Sequence, residues 1–219
     1  MPTAILRPAG LIVLACLVIS ACSGDADDGA APSPSARPPT EEGQELTSLV
    51  EEAQGLTYHA TYRIVGGPTG ISISVEVWRK GNRVRLDQEQ ISADQTVRTS
   101  GFRLEGRTIG CTREGDEQWR CTTVDQPRPS PGDASADPLI GGLVGELSVS
   151  DLTVGTEEIN GRQARCYKAA DESTEVCVTA DEGIAVRLAT PQSRLELAEL
   201  EREVEDSIFE PPAESTPNE

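Results

Sequence analysis

Residues 71–87 read ISISVEVWRKGNRVRLD, and this stretch carries the pattern that decides the fold. Every second residue from 71 to 77 is apolar, which is the period of a β-strand with one buried face. These apolar residues are Ile71, Ile73, Val75 and Val77. Gly81-Asn82 then supplies turn chemistry, and the alternation resumes at Val84 and Leu86. The stretch therefore predicts two antiparallel strands joined by a tight turn.

The same two-residue period recurs along most of the chain. Further turn signals stand at residues 114–116, 160–161 and 181–183. The alternating apolar residues outside the opening stretch are Tyr58, Ala60, Tyr62, Ile64, Phe102, Leu104, Val176, Val178, Ile184, Val186, Leu188, Leu195 and Leu197. Short strands with short turns predict an antiparallel meander of about nine strands, with one face in water.

Two segments follow a helical period instead. In residues 44–55, apolar side chains recur every three or four positions, and Gly55 can end the helix. In residues 138–147, three leucines share one helical face, and Asp137 can cap the start. These leucines are Leu139, Leu143 and Leu147. Strands and helices together predict an α+β domain.

The charge balance excludes one class of partner. The chain of 219 residues has 37 acidic and 19 basic residues and a formal net charge of −18. Nucleic-acid phosphates repel so acidic a chain, and we therefore expect no nucleic-acid partner. Hydrophobic residues make up 37% of the sequence, which suffices for one modest core.

The first residues have the layout of an export signal. Arg7 precedes an unbroken apolar run from Leu11 to Ile19, which is too short to span a bilayer. Residues 19–22, Ile-Ser-Ala-Cys, resemble the lipobox of bacterial lipoproteins. That resemblance implies cleavage of residues 1–21, lipidation of Cys22 and attachment to the extracytoplasmic face of a membrane.

Two other interpretations of this segment stay open. An ordinary secretory signal can be cut after Ala21 without lipidation, and residues 13–16 form a second, poorer lipobox ending at Cys16. Seventeen arginines against two lysines indicate a GC-rich genome, and the predicted location is the cell membrane of an actinobacterium.

Composition divides the remainder into a tether, one domain and a tail. Residues 22–43 begin with the predicted lipidated cysteine and continue as a segment rich in Pro, Ala, Ser, Gly and acid, which predicts a disordered tether. Residues 210–219 form a second polar segment, predicted to be a disordered tail. The predicted domain spans residues 44–209.

Four cysteines remain in the domain, and we interpret them as two structural disulfides. Cys111 and Cys121 flank one predicted turn, and Cys166 and Cys177 flank another, so each pair can face across a hairpin. We pair them 111–121 and 166–177, although four cysteines permit three connectivities. Zinc or redox chemistry is the alternative, but neither spacing is C-x-x-C and His59 is the only histidine.

No catalytic constellation stands out in the sequence. It contains no G-x-S-x-G elbow, no S-x-x-K motif and no H-E-x-x-H motif. His59 lies on the polar side of a predicted strand, where a histidine is usually solvated. We therefore predict no enzyme activity, no metal and no cofactor.

The predicted helices are too small to cover the predicted sheet. Nine strands present an apolar face of roughly 850 Å², whereas two short helices cover roughly 360 Å². The remaining face must curl, fold into a sandwich or hold an apolar ligand.

A family resemblance favours curling around a ligand. The stretches ATYRIVG at 60–66, VEVWRKGNRVRLD at 75–87 and DSIFEPP at 206–212 are similar to segments of LolA-like half-barrel lipoproteins, including mycobacterial lipid-carrier lipoproteins. The resemblance implies a strongly curved antiparallel sheet, two short helices on its concave face and a cavity for acyl chains.

Two functions follow from these expectations. The first is a tethered protein that binds or carries a lipid-like ligand in the cell envelope. Its predicted lining residues are Ile71, Ile73, Val75, Val77, Leu139, Leu143 and Leu147. The second is an envelope sensor or interaction module that binds a partner protein and no ligand.

Overall fold

The structure is a computed structural model that describes residues 38–66, 70–125, 137–148, 150–191 and 193–212. Cys22, the predicted signal segment and most of the predicted tether and tail lie outside these residues and stay predictions. No helix in the described ranges has the length and apolar content needed to cross a membrane.

The described residues form two α-helices, eleven strands and a C-terminal 3-10 helix. The α-helices are α1 (Glu41–Gln54) and α2 (Gly141–Leu147), and the 3-10 helix is Asp206–Phe209. The strands before α2 are β1 (Thr57–Gly66), β2 (Ser72–Lys80), β3 (Arg83–Ile91), β4 (Thr96–Leu104), β5 (Arg107–Glu114) and β6 (Arg120–Asp125). The strands after α2 are β7 (Leu152–Ile159), β8 (Arg162–Ala169), β9 (Glu175–Thr179), β10 (Ala185–Ala189) and β11 (Ser193–Glu201).

All eleven strands belong to one antiparallel sheet, in the order β6-β5-β4-β3-β2-β1-β11-β10-β9-β8-β7. The first and last strands therefore pair at its centre, and β6 and β7 form its edges. The predicted α+β class, the antiparallel sheet and the turns at 81–82, 114–116, 160–161 and 181–183 are confirmed. The predicted number of nine strands is wrong, because β5 to β8 are rich in threonine, glycine and charge and show weak alternation.

The strand register gives the sheet an inner and an outer face. We call the side that packs against both helices the inner face. Its main core residues are Val50 and Val144 from the helices and Tyr62, Val77 and Leu86 from the sheet. The Tyr62 hydroxyl donates a hydrogen bond to the Ala185 carbonyl oxygen at 3.0 Å, which fixes the ring within the core.

Helix α1 begins three residues before its predicted start. Thr40 is its N-cap, and the Thr40 side chain accepts a hydrogen bond from the Gly43 amide at 3.1 Å. Such a cap satisfies one of the free amides in a first turn. Residues 41–43, assigned to the tether from their composition, therefore belong to the helix.

Helix α2 is shorter than predicted and buries a different stripe. It begins at Gly141, and the residues before it form a turn capped by Asp137, whose carboxylate accepts from the Leu139 and Ile140 amides. The buried apolar side chains of this segment are Ile140, Val144 and Leu147. The turn rotates Leu139 and Leu143 to the edge of the core, where they are partly buried.

The outer face is not uniformly wet, contrary to the prediction. Phe102, Ile109 and Cys111 form a second buried cluster, separate from the main core. Phe102 lies opposite Arg85 rather than opposite a core residue of β3, and this register places it on the outer face. The alternation of apolar residues predicted which neighbours lie on the same side of the strand as Phe102. It did not predict whether that side belongs to the inner or the outer face of the sheet.

Candidate binding surfaces

The predicted lining residues separate into two groups. Val75, Val77 and Leu147 are at most 7% exposed and pack within the core. Ile73, Leu139 and Leu143 are partly buried against it, and Ile71 is 36% exposed. The structure therefore brings these residues to one face, where three are buried in the core and the others lie at its margin.

Three half-buried apolar residues and one exposed apolar residue continue the inner face. We call Ile64, Ile71, Ile73 and Leu195 the apolar shelf, of which Ile71 is the exposed member. Ile64 lies directly opposite Leu195 in the β1–β11 ladder, and Ile73 occupies the neighbouring strand. The shelf is therefore a partly exposed apolar region of the inner face.

A buried ion pair beneath α2 was missed by sequence reasoning. Arg79 donates to the Asp137 carboxylate at 2.7 Å, with 3% and 8% of their side chains exposed. Burial raises the pKa of the adjacent Tyr58 phenol, although Arg79 opposes this effect. A signal was present, because Arg79 continues the alternation of Val75 and Val77 and so points inward.

The outer face carries a row of stacked side chains. The register places His59 opposite Trp78, Trp78 opposite Arg85, and Arg85 opposite Phe102. The His59 and Trp78 rings are parallel within 4°, with centroids 4.7 Å apart. The Arg85 guanidinium lies 5.0 Å from the Trp78 ring centroid and 5.1 Å from that of Phe102. We call these four residues the stacked row.

Acidic side chains hold the histidine at the end of this row. The His59 ring nitrogens lie 3.0 Å from Glu76 and 3.2 Å from Glu201. The two carboxylates contact different nitrogens of the ring. His59 thus belongs to the packing of the outer face.

A polar depression of about 270 Å³ lies beside the stacked row. Its lining includes three arginines and three acids, and the Arg113 guanidinium is 4.8 Å from the Trp119 ring centroid. The charged lining residues are Glu76, Arg85, Asp87, Glu89, Arg98 and Arg113. We call it the outer depression. The other well-formed depression of the described residues is also polar, and it lies at the turns around Asp94 and Asp116.

The C-terminal segment covers the outer side of the β2–β3 hairpin. Asp206 forms ion pairs with Arg83 and, at 3.0 Å, with Lys80. The Ile208 carbonyl oxygen accepts from the Arg85 guanidinium at 2.9 Å. Phe209 is 4% exposed, and its ring centroid lies 4.9 Å from the Arg83 guanidinium. We call residues 203–212 the strap.

The two disulfides lie in different clusters, since Cys111 and Cys121 belong to the outer-face cluster and Cys166 and Cys177 to the main core cluster. Cys111 bonds to Cys121 and Cys166 to Cys177, in each case between residues directly opposite on adjacent strands. This is the pairing that the sequence analysis favoured. Cys166, Cys177 and Glu175 also place metal-ligand atom types close together, but a sulfur in a disulfide is not the thiolate that binds a metal.

The fold thus defines a domain with an apolar inner face that packs against two helices and a charged outer face. No protein-family model matches the sequence, and no curated protein matches it either. Comparison with solved structures finds remote likenesses of fold.

Three of these structures show the range. A chain of the MucA/MucB complex from Pseudomonas aeruginosa has a TM-score of 0.48 and 16% identity, and the match covers 78% of this chain and 62% of that one. An uncharacterized conserved protein from Thermus thermophilus has a TM-score of 0.43 and 11% identity, with 79% of this chain covering 96% of that one. LprF from Mycobacterium bovis has a TM-score of 0.40 and 12% identity, with coverage of 77% and 97%. Likenesses this remote say nothing about what this chain binds.

Proposed function

We propose that this chain is a noncatalytic, exported lipoprotein whose domain binds a partner protein through its outer face. One observation carries the proposal. The apolar residues between helices and sheet are packed together, whereas the outer face has a polar depression lined by three arginines and by Trp119, which is partly buried. Arginine and tryptophan are enriched among the residues that dominate protein interfaces.

The charges of the outer depression suit a polar partner surface. Arg98 pairs with Glu89, and the two side chains are 41% and 32% exposed. Arg85 holds Asp87 through both oxygens at the floor of the same depression. Fixed pairs of opposite charge give orientation and specificity to a docking protein more than affinity.

A site-specific photo-crosslink tests this function in the native host. A benzophenone amino acid replaces Arg98 in one variant and Gln44 in a second, control variant. Gln44 serves as the control because it is an exposed residue of α1, on the opposite side of the sheet. We expect one discrete adduct from position 98, identified by mass spectrometry, and none from position 44. Equal labelling from both positions would contradict the proposal.

Export and anchoring form a separate part of the proposal. They rest on the lipobox-like residues 19–22. Growth with a labelled fatty acid should label the wild-type chain, and Cys22→Ser should remove the label. Persistence of the label in that variant would exclude Cys22 as the anchor.

The apolar shelf favours a second candidate, the binding of a lipid-like ligand. Three half-buried aliphatic side chains and the exposed Ile71 on the inner face give an acyl chain a place to begin insertion. Native mass spectrometry of the exported protein, before and after solvent extraction, tests this function. An acyl-lipid adduct should vanish in Ile71→Asp and persist in Ile91→Asp, where the wild-type isoleucine is similarly exposed on the outer face. A clean apo mass would reject the candidate.

A further inference from the structure

The strap occupies a small cationic site on an otherwise acidic protein. Lys80, Arg83 and Arg85 all project from the outer side of the β2–β3 hairpin, in a chain with 19 basic residues and a net charge of −18. The strap gives this site one carboxylate, two carbonyl oxygens and one aromatic ring.

The spacing of these groups is that of a short linear motif. Asp206 and Phe209 stand three residues apart, and one turn of 3-10 helix directs both side chains toward the hairpin. Arg83 contacts both, since it pairs with the carboxylate and lies over the ring. A partner segment needs only the same two side chains at the same spacing to make these contacts.

The contacts that hold the strap are of a kind that opens readily. Asp206 is 69% exposed, and its partners Lys80 and Arg83 are about one third exposed. Exposed ion pairs contribute little to stability. Phe209 is the one fully buried side chain of the strap, and the residues around it make no strand pairing in the described sheet. Segments with few buried contacts open locally while the domain stays folded.

We propose that the strap is an internal mimic of a partner, and that the site beneath it binds an acidic segment of the form Asp-x-x-Phe from another protein. The strap then competes with that segment and keeps the site closed until the partner arrives. This inference rests on the proposed function, because it assigns a partner chemistry to the same outer face.

A peptide of the strap sequence EVEDSIFEPP, labelled with a fluorophore, tests the site in the full chain. The receptor is Asp206→Ala/Phe209→Ala, in which the internal competitor is disabled. We expect this variant to bind the peptide at least about tenfold more tightly than the wild type, because a tethered competitor is present at high effective concentration. Fluorescence anisotropy measures both affinities.

Two matched controls define the specificity. A peptide with alanine at its Asp and Phe positions should bind at least about tenfold more weakly. Adding Arg83→Ala to the receptor should weaken binding of the original peptide by a similar factor. Equal affinity of the wild type and the strap-disabled chain, or of the two peptides, would overturn the inference.

Two further measurements keep these outcomes interpretable. If the double variant fails to fold, Asp206→Ala alone replaces it, since this change is confined to an exposed side chain. Sedimentation of the wild type should show a monomer, and a dimer lost in Phe209→Ala would overturn the partner assignment in favour of strap exchange between copies. If the peptide fails while the crosslink at position 98 persists, the proposed function survives without this inference.

Discussion

Gly183 occupies a position that no other residue fits. It lies in the β9–β10 turn with φ +68°, in the left-handed region. A Cβ atom there would lie 1.7 Å from the Leu49 carbonyl oxygen of α1. The close approach lets α1 rest directly on the turn, so this glycine serves both the turn and the packing of the helix.

Replacing Gly183 with alanine should therefore destabilise the domain strongly. We expect Gly183→Ala to lower the free energy of unfolding by roughly 2–4 kcal/mol, since strain and overpacking add. Gly106→Ala is the matched control, because Gly106 has φ +77° and no atom near its missing Cβ. It should cost about 1 kcal/mol for the backbone alone. Urea titration measures both, and equal losses would show that the Leu49 contact is unimportant.

The Arg79–Asp137 pair also acts at the scale of single residues. Asp137 holds Arg79 with one carboxylate oxygen and the Leu139 and Ile140 amides with the other. We expect Asp137→Ala to lower the free energy of unfolding by about 3–5 kcal/mol, because it leaves a buried guanidinium without its anion. Asp137→Asn keeps an acceptor for the amides and should cost less. A loss of under about 1 kcal/mol for Asp137→Ala in urea titration would contradict a buried, paired Arg79.

At the scale of elements, the two disulfides stabilise different parts of the sheet. Cys111–Cys121 fastens the edge strand β6 to β5, whereas Cys166–Cys177 joins β8 to β9 beside the main core. In the loop-entropy model each contributes about 2.7 kcal/mol. The position of each disulfide in the sheet decides whether it stabilises only the neighbouring strands or the whole domain.

Removing the edge disulfide should loosen one strand without unfolding the domain. In Cys111→Ala/Cys121→Ala we expect faster amide hydrogen exchange in β6 and little change in β1 and β11. In Cys166→Ala/Cys177→Ala, exchange should rise throughout the sheet. Mass spectrometry resolves the two patterns, and a global effect from the edge variant would contradict this assignment.

Docking of the strap should depend on pH through Asp206. Hydrogen bonds from Lys80 and Arg83 hold the pKa of this carboxyl below its ordinary value of 3.8. A lowered pKa in the docked state means that the contribution is complete above the ordinary value and is lost as the pH falls through the docked-state pKa. The protection of the amides around Phe209, measured relative to intrinsic exchange at each pH, should therefore fall on acidification in the wild type. Asp206→Asn should show low protection throughout, and identical protection profiles for both chains would contradict the prediction.

At the scale of the whole molecule, the net charge of −18 produces repulsion that many local ion pairs do not cancel. Most described pairs have an exposed partner and contribute little. Raising NaCl from about 0.02 to 0.5 M shortens the range of this repulsion. We expect the melting temperature to rise by about 3 °C, measured by calorimetry. A fall would mean that local pairs outweigh the repulsion.

The sequence predicted the local features of this molecule better than its surfaces. The alternation in residues 71–87 and the turn signals gave the central hairpins correctly, because strand period and turn chemistry are local properties. The prediction that the outer face lies wholly in water was wrong, because the position of Phe102 opposite Arg85 depends on the register between strands. The start of α2 was predicted three residues too early, and the contact of Asp137 with Arg79 was missed because it joins residues far apart in the chain. Whether the core is filled depends on the sum of such contacts.

The central pairing of the first and last strands also has a mechanical consequence. Because β1 and β11 are antiparallel, His59 near the start of β1 lies opposite Glu201 at the end of β11. A force that pulls these two ends apart acts perpendicular to the strands, and therefore along the hydrogen bonds of this ladder, which it loads one after another. The ladder would then open one residue pair at a time, beginning at His59 and Glu201. The force needed would be lower than for two strands pulled in opposite directions along their length, where all the hydrogen bonds are loaded together.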